Sequence, residues 1–229
     1  MNEHQRRESF TISIPRGFAY RLLGMAKAKR KPRESVLEMF EEEYQLAQEL
    51  IDPQAVMRFS HGGLPGSNHI DAQMPLVVVV CTIGPALEER VSHLAEEGDV
   101  ARAVVLDAIG SSAAEGVADA SNQMICGMLA PTDFDPDSRR SPGYRGWDVR
   151  EQRVVFDYLD AAEIGVTLTE TCMMTPRKSI SYVVPLEGGK PGAESGHRCA
   201  HCGMDDCPYR SSENNDSCDF LGLEGGWDR

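Results

Sequence analysis

Four cysteines near the C-terminus have the spacing of a metal site. They form the pattern C-x2-C-x4-C-x10-C and are Cys199, Cys202, Cys207 and Cys218. Two thiolates separated by two residues can bind one ion or cluster from a single turn, and two more thiolates complete a tetrahedral set. The pattern predicts either a structural zinc ion or an iron–sulfur cluster, and His197 or His201 is an alternative to Cys218 as the fourth ligand.

A second set of chemically capable side chains recurs at intervals of three and four residues: Asp107, Ser111, Glu115, Asp119 and Asn122. The spacing predicts one face of a long helix, which Asp99 can cap and which runs to Leu129. Such a face presents a row of carboxylates to a ligand. The alternative is a solvated surface.

The same predicted helix has an apolar stripe and a run of small residues. The stripe, predicted to be buried, consists of Val100, Val104, Ile109, Val117, Met124 and Met128. Gly110 and Gly116 lie among the small residues, which lower helix propensity but let another backbone or a ligand come close. Close packing of a second helix would explain them equally well.

Several common enzyme motifs are missing. The sequence contains no G-x-x-x-x-G-K-[ST] phosphate loop, no G-x-S-x-G elbow and no H-E-x-x-H zinc helix. The segment Val104–Ala113 begins like the S-adenosylmethionine loop of ordinary methyltransferases, but its single glycine lies inside the predicted helix. These observations argue against hydrolases, kinases and Rossmann-type methyltransferases.

The segment 139–182 contains an ordered series of motifs. Arg139, Gly143 and Tyr144 form R-x-x-x-G-Y, which is followed by a tryptophan, an E-Q helix, I-G-V-x-L-T-E and M-x-P-x-x-S-x-S. In order and spacing the series resembles the activation domain of vitamin-B12-dependent methionine synthase. The resemblance extends over about residues 50–184.

This resemblance implies a fold and a function. The fold is α+β, with long helices packed on a twisted antiparallel sheet. The function is reactivation of an oxidised corrinoid, cob(II)alamin, by one-electron reduction and methylation with S-adenosylmethionine. Because cobalt is the nucleophile, the protein needs no nucleophilic side chain. A non-catalytic module for S-adenosylmethionine sensing, or a zinc-stabilised scaffold in corrinoid-dependent methyl transfer, is the alternative.

The resemblance also implies the ligand contacts. Arg139 corresponds to an arginine that holds the methionine carboxylate, Pro142 and Gly143 shape a turn, and Tyr144 offers an aromatic wall. Tyr182 departs from the family, which commonly has a small residue there. The further contacts implied are Glu115, Asp133, Glu170, Ser179 and Ser181.

The corrinoid is expected on a partner. None of the six histidines has an aspartate two positions before it, so the cobalamin-binding motif D-x-H-x-x-G is absent. The expected partners are a corrinoid-binding protein, or a methionine synthase that lacks its own activation domain, and an electron donor of the flavodoxin or ferredoxin type.

Charge and hydropathy limit which partners and which cellular location the sequence predicts. The 229 residues carry a formal charge of −13, which disfavours nucleic acid and anionic membranes as partners. The first twenty residues are polar and contain no secretion signal, which predicts a cytoplasmic protein. The longest apolar run, Leu76–Ile83, is too short to cross a bilayer and predicts a buried strand.

The elements that must position these residues follow from local patterns. A strand is predicted over Ser9–Ile14, helices after Pro15 and over Glu34–Leu50, and another helix from Pro85 to Glu97. The predicted organisation is an N-terminal helical segment 1–50, an S-adenosylmethionine-binding domain 51–186 and a Cys-rich tail 187–229.

Overall fold

An antiparallel sheet of five strands forms the middle layer of the fold. The computed structural model of the chain describes residues 4–25, 32–144 and 146–188. The strands of the sheet are β1 (Arg6–Ser9), β2 (Gln54–Ser60), β3 (Leu76–Thr82), β4 (Phe134–Pro136) and β7 (Ser179–Gly188). Their order is β1-β2-β3-β7-β4, and β5 (Thr167–Leu168) pairs separately with β6 (Met174–Thr175).

Helices cover both faces of the sheet. They are α1 (Arg16–Leu22), α2 (Glu34–Leu50), α3 (Ala86–Glu96), α4 (Val100–Leu129) and α5 (Gln152–Tyr158). The first four share a hydrophobic core with one face, whereas α5 and the 3-10 helix Ala161–Ile164 share a second core with the other face. None of the helices in the described ranges combines the length and apolarity that crossing a bilayer requires.

The central strand β3 explains why two cores form. All seven of its residues are buried. Side chains alternate along a strand, so Val79 and Cys81 point into the core beneath α4, and Val78 and Val80 point into the core beneath α5. A continuous apolar run is what a strand covered on both faces requires, and the predicted buried strand is confirmed.

The long helix α4 begins and ends where the sequence predicts. The Asp99 side chain accepts a hydrogen bond from the Arg102 backbone N–H at 3.3 Å, which caps the first turn. Its predicted apolar stripe is wrong at the N-terminal end, because Val100 and Val104 are 60% and 55% exposed. The neighbouring helices α2 and α3 lie on another side of α4, and Leu106 is fully buried instead.

The small residues of α4 admit other parts of the same chain. A Cβ added at Gly110 would overlap Leu87 Cδ2 of α3, and a Cβ at Gly116 would lie 3.3 Å from Pro15 Cδ. The Ser112 hydroxyl also donates to the Pro15 carbonyl at 2.5 Å. Close packing within the fold therefore accounts for the small residues at these positions.

The N-terminal segment packs against the same core. The strand predicted over Ser9–Ile14 is wrong: the strand is Arg6–Ser9, paired with β2. The Phe10 N–H still donates to the Pro53 carbonyl at 2.9 Å, and after Phe10 the chain leaves the sheet and runs towards α4, where Ile14 is buried. The Ile14 carbonyl accepts a hydrogen bond from the Tyr44 hydroxyl at 2.9 Å. The apolar residues that alternate over positions 10–14 therefore contact the core beneath the helices and do not belong to a paired strand.

Candidate functional site

Arg139 lies between α4 and β7. Its Nη2 donates to Asp119 Oδ1 at 2.6 Å and is 3.8 Å from Glu115 Oε2. The guanidinium carbon is 5.2 Å from the centre of the Tyr182 ring, and only 9% of the Arg139 side chain is exposed. The structure thus brings together two residues of the predicted site, Arg139 and Glu115, and adds Asp119, which belongs to the polar row of α4.

The cluster combines one guanidinium with two carboxylates. Their side chains are 31% exposed at Glu115 and 42% exposed at Asp119. Both carboxylates are therefore accessible from solvent. Such an arrangement attracts a cation, while the guanidinium can pair with a carboxylate of the same ligand.

Tyr182 supports the arginine from below. Its ring is 1% exposed, and its hydroxyl oxygen is 2.7 Å from the Ser121 Oγ of α4. Burial raises the pKa of Tyr182, so the ring is neutral under ordinary conditions and stabilises the cation above it. Burial also raises the pKa of the nearby Cys81 thiol to about 12. The larger side chain at position 182 therefore fills the space beneath Arg139.

A tight turn presents Tyr144. Gly143 has a φ of +90°, a left-handed conformation that favours glycine. The Gly143 N–H donates to the Trp147 carbonyl at 2.8 Å, and the Trp147 N–H donates to the Tyr144 carbonyl at 3.0 Å. Pro142 is buried, whereas 71% of Tyr144 is exposed. The R-x-x-x-G-Y motif therefore combines a buried cation with an exposed ring.

The two predicted serines lie on β7 but not on the face that carries Tyr182. Ser181 is opposite Val80, which belongs to the core beneath α5, and is 3% exposed. The Ser179 hydroxyl donates to the Pro176 carbonyl at 2.7 Å and is 2.9 Å from Thr82 Oγ1. These contacts satisfy Ser179 within the fold.

The two remaining predicted acids are exposed and lie in loops. Asp133 is in the turn between α4 and β4, and Glu170 is in the hairpin between β5 and β6. The Glu170 backbone carbonyl accepts a hydrogen bond from Arg153 at 2.5 Å. Within the described residues, no hydrogen bond or ion pair joins either acid to Arg139.

A second cation meets the N-terminal end of the polar row of α4. Lys178 Nζ lies 2.7 Å from Asp107 Oδ1 and donates to the Ser111 hydroxyl at 2.8 Å. The Lys178 side chain is 12% exposed. The polar face of α4 thus pairs with Lys178 near its N-terminal end and with Arg139 farther along the helix.

The predicted metal ligands belong to the C-terminal part of the chain. Cys199, Cys202, Cys207 and Cys218, together with His197 and His201, lie outside the described residues. Among the residues that are described, no group of three or more His, Cys, Asp or Glu side chains has an arrangement that could hold a metal ion. The metal site remains a prediction from spacing.

Two residues of the candidate site have no distinguishing signal in the sequence. Asp119 is one member of a polar row, and only the fold brings it to Arg139. Glu151 accepts hydrogen bonds from the Ser67 hydroxyl at 2.6 Å and from Trp147 Nε1 at 2.8 Å. Burial favours a higher pKa for Glu151, but these bonds and one from the Asn68 backbone outweigh it and lower the pKa. Ser67 and Glu151 are 84 residues apart, so no local pattern in the sequence identifies their contact.

Comparison with known proteins supports the fold. The chain is similar to the solved structure described as the crystal structure of the MetH reactivation domain bound to AdoHcy, with a TM-score of 0.60 and 12% sequence identity. The similarity covers 84% of this chain and 81% of that chain, so it extends beyond residues 51–186. No protein-family model matches the sequence, and no curated protein matches it. The predicted α+β fold with an antiparallel sheet is confirmed at the level of the fold.

Proposed function

We propose that this chain binds S-adenosylmethionine where Arg139 meets α4 and donates its methyl group to the cobalt of a corrinoid on a partner protein. One observation supports the proposal above the others. A nearly buried arginine of the R-x-x-x-G-Y motif lies between two carboxylates and an aromatic ring, in a fold shared with a reactivation domain solved with AdoHcy.

The cluster matches the charges of this ligand. Arg139 would pair with the ligand's carboxylate, an interaction worth about 1.5–3 kcal/mol for a charge-assisted hydrogen bond. Glu115 and Asp119 would balance its ammonium and sulfonium charges. The exposed Tyr144 ring offers a wall for a cation or a base. The protein's task is to orient the methyl group rather than to exchange protons.

The proposed reaction needs a partner and a reductant. An electron donor of the flavodoxin or ferredoxin type reduces cob(II)alamin by one electron to cob(I)alamin. The cobalt electron pair then attacks the methyl carbon, so that a Co–C bond forms while the C–S bond breaks. The sulfur keeps the bonding pair and leaves as the neutral thioether S-adenosylhomocysteine.

The experiment is a labelled methyl transfer combined with calorimetry. Protein with its native metal content is titrated with S-adenosylmethionine and then incubated with labelled ligand and a reduced corrinoid protein. Wild type is expected to bind and to transfer label to cobalt. Arg139→Ala should weaken binding about ten- to a hundredfold.

Arg140 provides the matched control for this substitution. Its side chain is 34% exposed and pairs with Asp137 at 2.7 Å, away from α4. Arg140→Ala should therefore bind like wild type. Folded protein that gives no binding heat, or an Arg139→Ala variant with unchanged affinity, would contradict the proposal.

We further propose that the Cys-rich tail binds zinc or an iron–sulfur cluster, a proposal supported by the cysteine spacing alone. A brown protein with charge-transfer absorbance would identify a cluster that can pass an electron. A colourless protein with one zinc per chain would identify a structural ion. The double variant Cys199→Ser and Cys202→Ser should lose the metal in either case, and a metal content unchanged by it would exclude this site.

A further inference from the structure

We propose that Trp147 and Glu151 are positioning residues for the turn that carries Tyr144, and that the loop containing Ser67 and Asn68 anchors them. This inference rests on the proposed function, because it concerns the same ligand site. Neither residue is expected to touch the ligand. Their role is to hold the turn in its binding conformation before the ligand arrives.

Backbone hydrogen bonds close the turn. The Tyr144 N–H donates to the Ser141 carbonyl at 3.2 Å, and two further bonds involve Trp147. Trp147 accepts from the Gly143 N–H at 2.8 Å and donates to the Tyr144 carbonyl at 3.0 Å. The Tyr144 ring is 71% exposed, so packing does little to fix its position. Trp147 thus supplies two of the backbone hydrogen bonds that fix the position of Tyr144.

Trp147 is itself held by its side chain. The indole is 2% exposed and stacks on His69, with ring centres 5.3 Å apart and planes at 11°. Its Nε1 donates to Glu151 Oε2 at 2.8 Å. The Trp147 side chain thus links the turn to α5, which begins directly after Glu151.

Glu151 connects this assembly to a distant loop. Besides the indole, its carboxylate accepts from the Ser67 hydroxyl at 2.6 Å and from the Asn68 N–H at 3.2 Å. Ser67 in turn accepts from the backbone N–H of His69 and of Ile70. Three donors from two separate segments converge on one carboxylate, which stays ionised because they satisfy its negative charge.

The expected consequence is a change in ligand affinity without any change in the groups that contact the ligand. If the anchor is lost, the turn samples other conformations, and binding must supply the free energy that orders it. Ordering costs of this kind are typically about 1 kcal/mol per immobilised side chain. We therefore expect Glu151→Gln to weaken S-adenosylmethionine binding about fivefold. The neutral amide cannot accept from all three donors.

The control is Glu43, a buried carboxylate of α2 on the opposite face of the sheet from α5. It is 3% exposed and pairs with Arg102 of α4 at 2.5 Å. Glu43→Gln should destabilise the protein without changing ligand affinity. Ser67→Ala is a milder second variant, because it removes one donor and leaves the Glu151 charge in place.

Two measurements test the proposal on the full-length protein. Calorimetry with S-adenosylmethionine is done at a temperature at which circular dichroism shows every variant to be folded. Hydrogen exchange followed by mass spectrometry reports on the peptide covering residues 141–147 without ligand. Glu151→Gln should accelerate exchange there and weaken binding, Ser67→Ala should do both to a smaller degree, and Glu43→Gln should do neither.

The outcomes separate this inference from the proposed function. Unchanged exchange in residues 141–147 of folded Glu151→Gln would overturn the anchor, as would wild-type affinity in that variant. If wild type binds no S-adenosylmethionine, the proposed function fails, and a positioning role in ligand binding fails with it. In that case faster exchange would show only that Glu151 stabilises the turn.

Discussion

The long helix α4 has two faces that differ in what covers them. On its buried face it packs against α3 at Gly110, where the absence of a Cβ leaves room for Leu87. On its polar face it pairs with Arg139 and is partly exposed to solvent. Both faces had the composition of a ligand surface. The buried face is filled by the protein's own side chains. Of the two faces, the polar one carries carboxylates that are partly exposed to solvent, Glu115 and Asp119.

The polar face itself has two different ends. Lys178 lies beside one carboxylate of the row, Asp107, and donates to the Ser111 hydroxyl. Arg139 lies beside two carboxylates, Glu115 and Asp119, and over the Tyr182 ring. The proposed ligand site is therefore the end of the row at which a cation, two carboxylates and an aromatic ring come together.

The largest expected effect tests the buried face. Gly110→Ala should lower the free energy of unfolding by about 2 kcal/mol, because the added methyl group overlaps the fully buried Leu87 and outweighs the gain in helix propensity. Gly127→Ala, in the same helix with no atom within 4 Å of the added Cβ, should instead stabilise by up to about 1 kcal/mol. Denaturant unfolding measures both. If Gly110→Ala left stability intact but abolished S-adenosylmethionine binding, the two faces would have been assigned the wrong way round.

The next effect separates the two cations. Arg139→Lys keeps the charge but loses the planar fork that can face two carboxylates, so S-adenosylmethionine affinity should fall about tenfold, or about 1.4 kcal/mol. Lys178→Arg keeps a cation beside Asp107 and should bind S-adenosylmethionine with wild-type affinity. Calorimetry on both variants provides the measurement. An equal loss of affinity in both variants would contradict the assignment of the ligand site to the Arg139 end of the polar row.

A smaller effect concerns Asp119, one of the two carboxylates beside Arg139. Asp119→Asn should reduce the preference for S-adenosylmethionine over S-adenosylhomocysteine about threefold, because the two ligands differ by the sulfonium charge that Asp119 helps to balance. Asp107→Asn makes the same change in net charge about 18 Å away along the helix and should leave the ratio unaltered. Paired titrations with the two ligands give the ratio. A shift of the same size in both variants would point to overall charge as the cause.

A pH-dependent effect concerns Cys81, which lies near Arg139 and Tyr182. Burial raises the pKa of the Cys81 thiol from 9.0 to about 12, so its contribution to stability is present below pH 9 and is lost as the pH rises towards 12. The decline of unfolding free energy above pH 9 should therefore be steeper in wild type than in Cys81→Ala. Denaturant titrations between pH 8 and 11 compare the slopes. Identical slopes would mean that Cys81 is not buried as described.

Several elements were predictable because their signals are local. Pro15 precedes α1, Asp99 caps α4, and the apolar run at Leu76 forms the buried strand β3. The resemblance to methionine synthase activation domains implied that Arg139 and Glu115 each contact the ligand. In the structure Arg139 Nη2 lies 3.8 Å from Glu115 Oε2.

Other features could not be predicted from local patterns. Val100 and Val104 are exposed because the neighbours of α4 lie on another side, which helical spacing does not reveal. Ser179 and Tyr182 belong to one strand, but an interval of three residues puts them on opposite faces of the sheet. The contact between Glu151 and Ser67 joins segments more than eighty residues apart.

By itself, therefore, the amino-acid sequence determined where helices begin, which strand is buried and which short motif holds the candidate ligand arginine, since these depend on backbone preferences and side chains within a few residues. The tertiary structure alone decided which face of α4 stays open, that Asp119 joins Arg139, and that Trp147 and Glu151 anchor the turn. Those outcomes depend on packing and hydrogen bonding between segments far apart in the chain, because only the folded arrangement brings their atoms within reach.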